Sequence, residues 1–143
     1  MTTRNIKNLS YRRTMVYLEK EDVLRLKELG FRLPYETGEV YAYDFYSYQN
    51  EEWSIGGQIT GNESLLAPQE VYNQGIKLIT IDEIFDWIHV NGYGMRLVKN
   101  IGSGFKFIVF DEEGIEYKGS GGTLTKAIYN TIEKLLIKRN ENR

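Results

Sequence analysis

The chain has 143 residues, 41% hydrophobic and 27% charged, with a formal net charge of −2. That fits one domain with an ordinary buried core, or two small halves packed together. It has no cysteine, which excludes disulfides, thiolate metal sites and cysteine nucleophiles and suits a reducing compartment.

In chain order, the first 14 residues hold Arg4, Lys7, Arg12 and Arg13 and no acid. They read as a basic arm, or as an edge strand at "RRTMVYL", over residues 1–18. The stretch is basic but lacks the apolar core of a secretion signal. No apolar run is long enough to span a bilayer. A soluble, cytoplasmic protein is expected, with no membrane partner.

Residues 19–139 read as one α+β domain, or as two packed halves at 19–66 and 78–139. Val23, Leu24, Leu26 and Leu29 give an apolar face to a helix over Lys20–Leu29, and Gly30-Phe31 is a stop signal. Residues 39–48 and 53–60 read as two strands joined by a turn at "QNEE". "PQEVYN" suits a short helical turn. Thr80 and Glu83 form a capping box, and Ile81, Ile84, Phe85 and Ile88 follow at helical spacing. "MRLVKNI", "FKFIVF" and "IEYK" read as three strands joined by turns at "GSG" and "DEEG". The chain closes with an amphipathic helix over Thr123–Lys138, with "RNENR" frayed. The expected fold class is α+β. Helices cover one face of an antiparallel sheet, and the C-terminal half runs α-β-β-β-α.

That order over residues 80–138 is similar to a double-stranded-RNA-binding domain. The resemblance implies a glycine-rich strand end leading into a helix whose first turn holds phosphates, here "YKGSGGTLTKAIYNTIEKLL". This chain has only Lys118 and Lys126 near that helix start, and its first helix carries Asp82, Glu83 and Asp86. More of the chain, through "LRLKELGF", a Tyr/Trp-rich strand pair, "IDEIFDWIHVNGY", "FKFIVFDEEG" and "TLTKAIYNTIEKLL", resembles small proteins of phages, prophages and mobile elements. This second resemblance implies an accessory protein and transfers no catalytic residue.

Charge is unevenly spread. Residues 1–33 carry eight bases against four acids, 34–95 carry ten acids against Lys77 alone, and 96–143 carry nine bases against six acids. The acidic third holds the aromatic run "VYAYDFYSYQ". In a strand, Tyr41, Tyr43 and Phe45 share one face and Ala42, Asp44, Tyr46 and Tyr48 the other. Asp44 marks the second face as wet. Tyr46 and Tyr48, with Trp53 on the next strand, are therefore candidates for a protein interface or a homo-oligomer seam. Cross-strand aromatic pairs that stabilise a small sheet are the competing reading.

No catalytic residue is identified. His89 is the only histidine, at a helix C-terminus where the dipole favours it. The acids of "DEEG" suit a solvated turn, and no nucleophile elbow or phosphate-binding loop is present. No metal or cofactor is expected. Gly119, Gly121, Gly122 and Thr123 precede a helix, flanked by Lys118 and Lys126. Together they form a candidate anion site at exposed backbone N–H groups, or simply a sharp strand-to-helix turn. With a stacking aromatic, such a turn would hold a small nucleotide. The expected function is non-enzymatic binding of a host protein or sequestration of a small nucleotide signal, against host defence. The alternative is an RNA- or DNA-binding module, with Arg4, Lys7, Arg12 and Arg13 as contacts.

Overall fold

The structure is a computed structural model that describes residues 17–33, 45–54, 57–58, 69–99 and 101–142. Arg4, Lys7, Arg12, Arg13, Tyr41, Tyr43 and the strand expected over 39–44 lie outside the described residues.

Tyr17 and Leu18 run antiparallel to Ile79 and Thr80, through a bridge at Tyr17–Thr80 and a bond from Leu18 N to Ile79 O (2.9 Å). Helix α1 (Lys20–Glu28) follows and ends as its sequence demands. Gly30 takes φ +97°. Its N–H bonds Lys27 O, and Phe31 N–H reaches back to Leu26 O (2.9 Å). This is the Schellman closure, and both Phe31 and Leu26 are buried.

Strands β1 (Phe45–Tyr48) and β2 (Glu51–Ser54) form a hairpin in which Tyr48 pairs with Glu51 and Tyr46 with Trp53. Its turn is Gln49-Asn50 alone, with φ of 51° and 63°. Positive φ at both central residues is the two-residue turn that matches strand twist, so Glu51 and Glu52 are strand residues. The run expected as one strand over 53–60 folds back on itself. β3 (Gly57–Gln58) pairs antiparallel with Ser54 and Trp53. After the short helix α2 (Gln69–Gln74), β4 (Ile76–Lys77) pairs with β1, giving a four-stranded sheet in the order β3-β2-β1-β4.

Helix α3 (Ile81–Val90) starts with the expected capping box. Glu83 N donates to Thr80 Oγ1 (3.1 Å), and Thr80 N donates to Glu83 Oε1 (3.0 Å). The other carboxylate oxygen of Glu83 holds Lys77 Nζ at 2.7 Å, tying β4 to the helix start. α3 closes with a second Schellman pattern through Gly92 and Tyr93. Strands β5 (Gly94–Lys99), β6 (Phe105–Phe110) and β7 (Glu116–Gly121) form a three-stranded antiparallel sheet, and helix α4 (Leu124–Glu141) completes the α-β-β-β-α order. α4 runs three residues past the expected end. Asn140 Nδ2 bonds Leu29 O (3.1 Å) and anchors the last turn on the end of α1.

The fold is α+β, with its strands in two sheets. One large core gathers Leu18, Leu26, Ile84, Phe107, Ile128 and Leu135 among others, each inaccessible to solvent. Every such side chain contributes roughly 1.5–3 kcal/mol by leaving water. Trp87 is central to one side of this core. Phe31 (5.1 Å) and Tyr93 (6.1 Å) pack on its ring, and the Arg139 guanidinium lies 5.7 Å from the ring centre. A second, small core holds Tyr46, Trp53 and Val71, with Tyr48 and Tyr72 against it.

Candidate binding surface

The aromatic strand does not form the expected surface. Tyr46 is 5% and Trp53 8% exposed. The face marked as wet by Asp44 is roofed by α2, whose Tyr72 meets Tyr46 edge-on at 5.3 Å and whose Val71 is fully buried. The opposite face of β1 packs inward through Phe45, whose ring lies 4.9 Å from that of Tyr17. Both faces of β1 are therefore covered. Of the three expected interface residues only Tyr48 stays half-exposed, its hydroxyl 3.5 Å from Gln74 Oε1.

The anion cradle is not assembled either. β7 continues through Gly119 and Gly121, which pair with Phe107 and Phe105. Both glycines face α4. A Cβ on Gly119 would stand 2.6 Å from Thr131 N and Oγ1, and one on Gly121 would stand 2.6 Å from Ala127 N. The glycines exist so that helix and strand backbones can touch. At the contact, buried Thr131 Oγ1 lies 2.8 Å from Phe107 O and 2.9 Å from Ala127 O, a hydroxyl shared between sheet and helix. Thr123 caps α4 by accepting from Lys126 N (3.2 Å), while Gly122 is exposed and open around its Cα. Lys126 Nζ is held at 2.7 Å by Asp22 of α1. Lys118 belongs to the other face of β7, where it pairs with Glu116. The two lysines expected to flank one phosphate lie on opposite sides of the strand.

A titratable cluster that sequence reasoning missed joins α1 to α4. Besides Asp22 and Lys126, Tyr129 donates to Glu133 (2.8 Å), and Arg25 Nε lies 3.4 Å from the same carboxylate oxygen. The Asp22 carboxylate pushes the Lys126 ammonium pKa up. Burial, and then the bond to Glu133, push the Tyr129 hydroxyl well above the ordinary phenol range. A lysine or tyrosine used as base or nucleophile needs the opposite shift. These directions describe a structural clamp. His89 is exposed in the last turn of α3, and no metal-ligating group of three forms among the described residues. In the "DEEG" turn, Asp111 Oδ1 accepts from the N–H groups of Glu113 (2.9 Å) and Ile115 (3.0 Å), while Glu112 and Glu113 are exposed.

The unusual surface lies on the three-stranded sheet. Helices cover the side bearing Phe107 and Val109, both fully buried. On the uncovered side, Arg96, Ile108 and Lys118 form one cross-strand row. Glu116 bonds both Arg96 and Lys118, which hold its carboxyl below the usual range. Ile108, between the two bases in the row, is buried. Lys106 stands beside them with no ion pair among the described residues. Arg96 also lies 5.2 Å from the Phe110 ring centre. At the sheet's edge, β5 leaves Met95 (40%), Leu97 (48%) and Val98 (39%) exposed, and Ile101 at the hairpin tip is fully exposed. "MRLVKNI" carried this signal, but an apolar strand gives no hint that one of its sides will lack a neighbour.

No family model matches the chain, and no curated protein or solved structure matches it either.

Proposed function

We propose that the chain is a non-enzymatic binding protein, of the phage or mobile-element accessory kind its sequence resembles, that acts by occupying a protein partner. The observation that carries this reading is the β5 edge. Met95 and Leu97 are exposed on one side of it and Val98 on the other, and Ile101 projects at its tip. Exposed apolar groups gathered on one element mark interaction sites, whereas scattered ones do not.

The test is photocrosslinking in a nuclease-treated lysate, with benzoylphenylalanine at Leu97 or, as control, at Leu24, which is also 40% exposed but on α1. A discrete protein adduct at position 97 and none at 24 is the expected result. Equal labelling at both, or none at 97, overturns the reading.

One observation favours nucleic acid as a second reading. The uncovered sheet face carries Arg96, Lys106 and Lys118 against Glu116 alone. Binding of that kind weakens steeply with salt, and Lys106→Glu removes part of the slope. Salt-independent or absent RNA binding eliminates this alternative.

A further inference from the structure

The three-stranded sheet treats its two edges differently. On β7, α4 reaches over to the backbone. Lys134 Nζ bonds Lys118 O and Asn130 Nδ2 bonds Ser120 O, each at 2.7 Å. Those carbonyls are occupied, and the edge is poor at recruiting another chain. On β5, no side chain among the described residues bonds a backbone group of Gly94–Val98. The usual safeguards of an exposed edge are a proline, a bulge, a very short strand, a covering element or charged side chains, and of these β5 carries only the charges of Arg96 and Lys99. β5 has six residues and no proline, and it pairs with β6 residue for residue from Gly94–Phe110 to Lys99–Phe105.

Side chains beside that edge describe the missing neighbour. Met95 and Leu97 lie on the helix-covered side, directly opposite Val109 and Phe107. A strand laid along β5 extends these two rows, so its residues on that side are apolar. On the uncovered side the charges are Arg96, Lys106 and Lys118 against Glu116. A second copy of this chain brings more of the same sign. Pairing centred on residue 96 sets Arg96 against itself, and pairing centred on 97 leaves the two arginines diagonal neighbours. Nucleic acid makes no use of a ladder of free backbone groups or of Met95 and Leu97.

We infer that β5 accepts a fourth strand from a partner protein, an extended segment alternating apolar and acidic residues. The backbone ladder supplies the attraction, Met95 and Leu97 the register, and Arg96, on the other side, the charge preference. The inference rests on the protein-binding reading above and gives that partner a chemistry.

The experiment titrates the isotope-labelled full chain with a capped heptapeptide alternating valine and glutamate. Two other peptides serve for comparison, one with lysine for glutamate and one with proline at its centre. Amide shifts over Gly94–Lys99, and binding roughly tenfold weaker for both comparison peptides, are the expected results. Arg96→Glu, a change at an exposed position, should narrow or reverse the charge preference. Equal binding of the valine-glutamate and valine-lysine peptides overturns the inference. So does binding of none of them, a concentration-dependent dimer that shifts the β5 amides without peptide, or RNA that shifts them more than any peptide. An adduct at position 97 together with peptide failure sinks only the acidic-strand inference, whereas loss of both sinks the binding reading as well.

Discussion

Gly119 shows how one residue type serves two opposed readings. Glycines before a helix suit an anion site and a tight backbone contact equally well, and nothing local separates the two. The distance from Gly119 to Thr131 does so, because the space a side chain needs is already filled. Gly119→Ala should therefore destabilise the fold by about 1–3 kcal/mol or more through overpacking, read as a lower urea midpoint. Unchanged stability would mean the contact is slack. The Lys126–Tyr129 clamp makes a pH prediction. Both groups have folded pKa values raised above their ordinary values. Their stabilisation is complete below the unfolded values of about 10 and is lost as pH rises through the folded ones. Melting temperature should hold up to about pH 10 and fall as pH rises above it. Lys126→Met with Tyr129→Phe should flatten that fall.

Elements were most legible where capping chemistry is local. The box at Thr80/Glu83 and the stop at Gly30-Phe31 require only backbone groups within a few residues, and both formed as expected. The hairpin at Gln49-Asn50 was misplaced because neither residue is the glycine that positive φ favours. That mismatch predicts a gain. Gln49→Asn with Asn50→Gly should raise stability by about 1 kcal/mol, since non-glycine residues held at positive φ are strained. A lower melting temperature would mean that these side chains hold the turn. β4 carries no signal in the sequence, because two residues show no periodicity. It is a strand only because β1 lies beside it.

At the scale of the molecule, the two cores differ greatly in size. The larger draws on α1, α3, α4 and the three-stranded sheet, while the smaller rests on Tyr46, Trp53 and Val71. Few buried contacts mean a low free energy of local opening. In native-state hydrogen exchange, the amides of Tyr46 and Trp53 should open well below the energy required by Phe107 and Val109. Equal protection would show that the two cores unfold as one unit.

The α+β class, the α-β-β-β-α order of the C-terminal half and the ends of the first helices were determined by the sequence alone. Periodicity and capping act over a few residues, and those residues are printed side by side. Tertiary structure decided which faces are free. α2 buries the Tyr46 face that Asp44 marked as wet. α4 lies against Gly119 and Gly121 and separates Lys118 from Lys126. β5, an apolar strand like β6, is left at an edge among the described residues. Exposure depends on what packs from distant parts of the chain, and a residue's own neighbours in sequence carry little of that information.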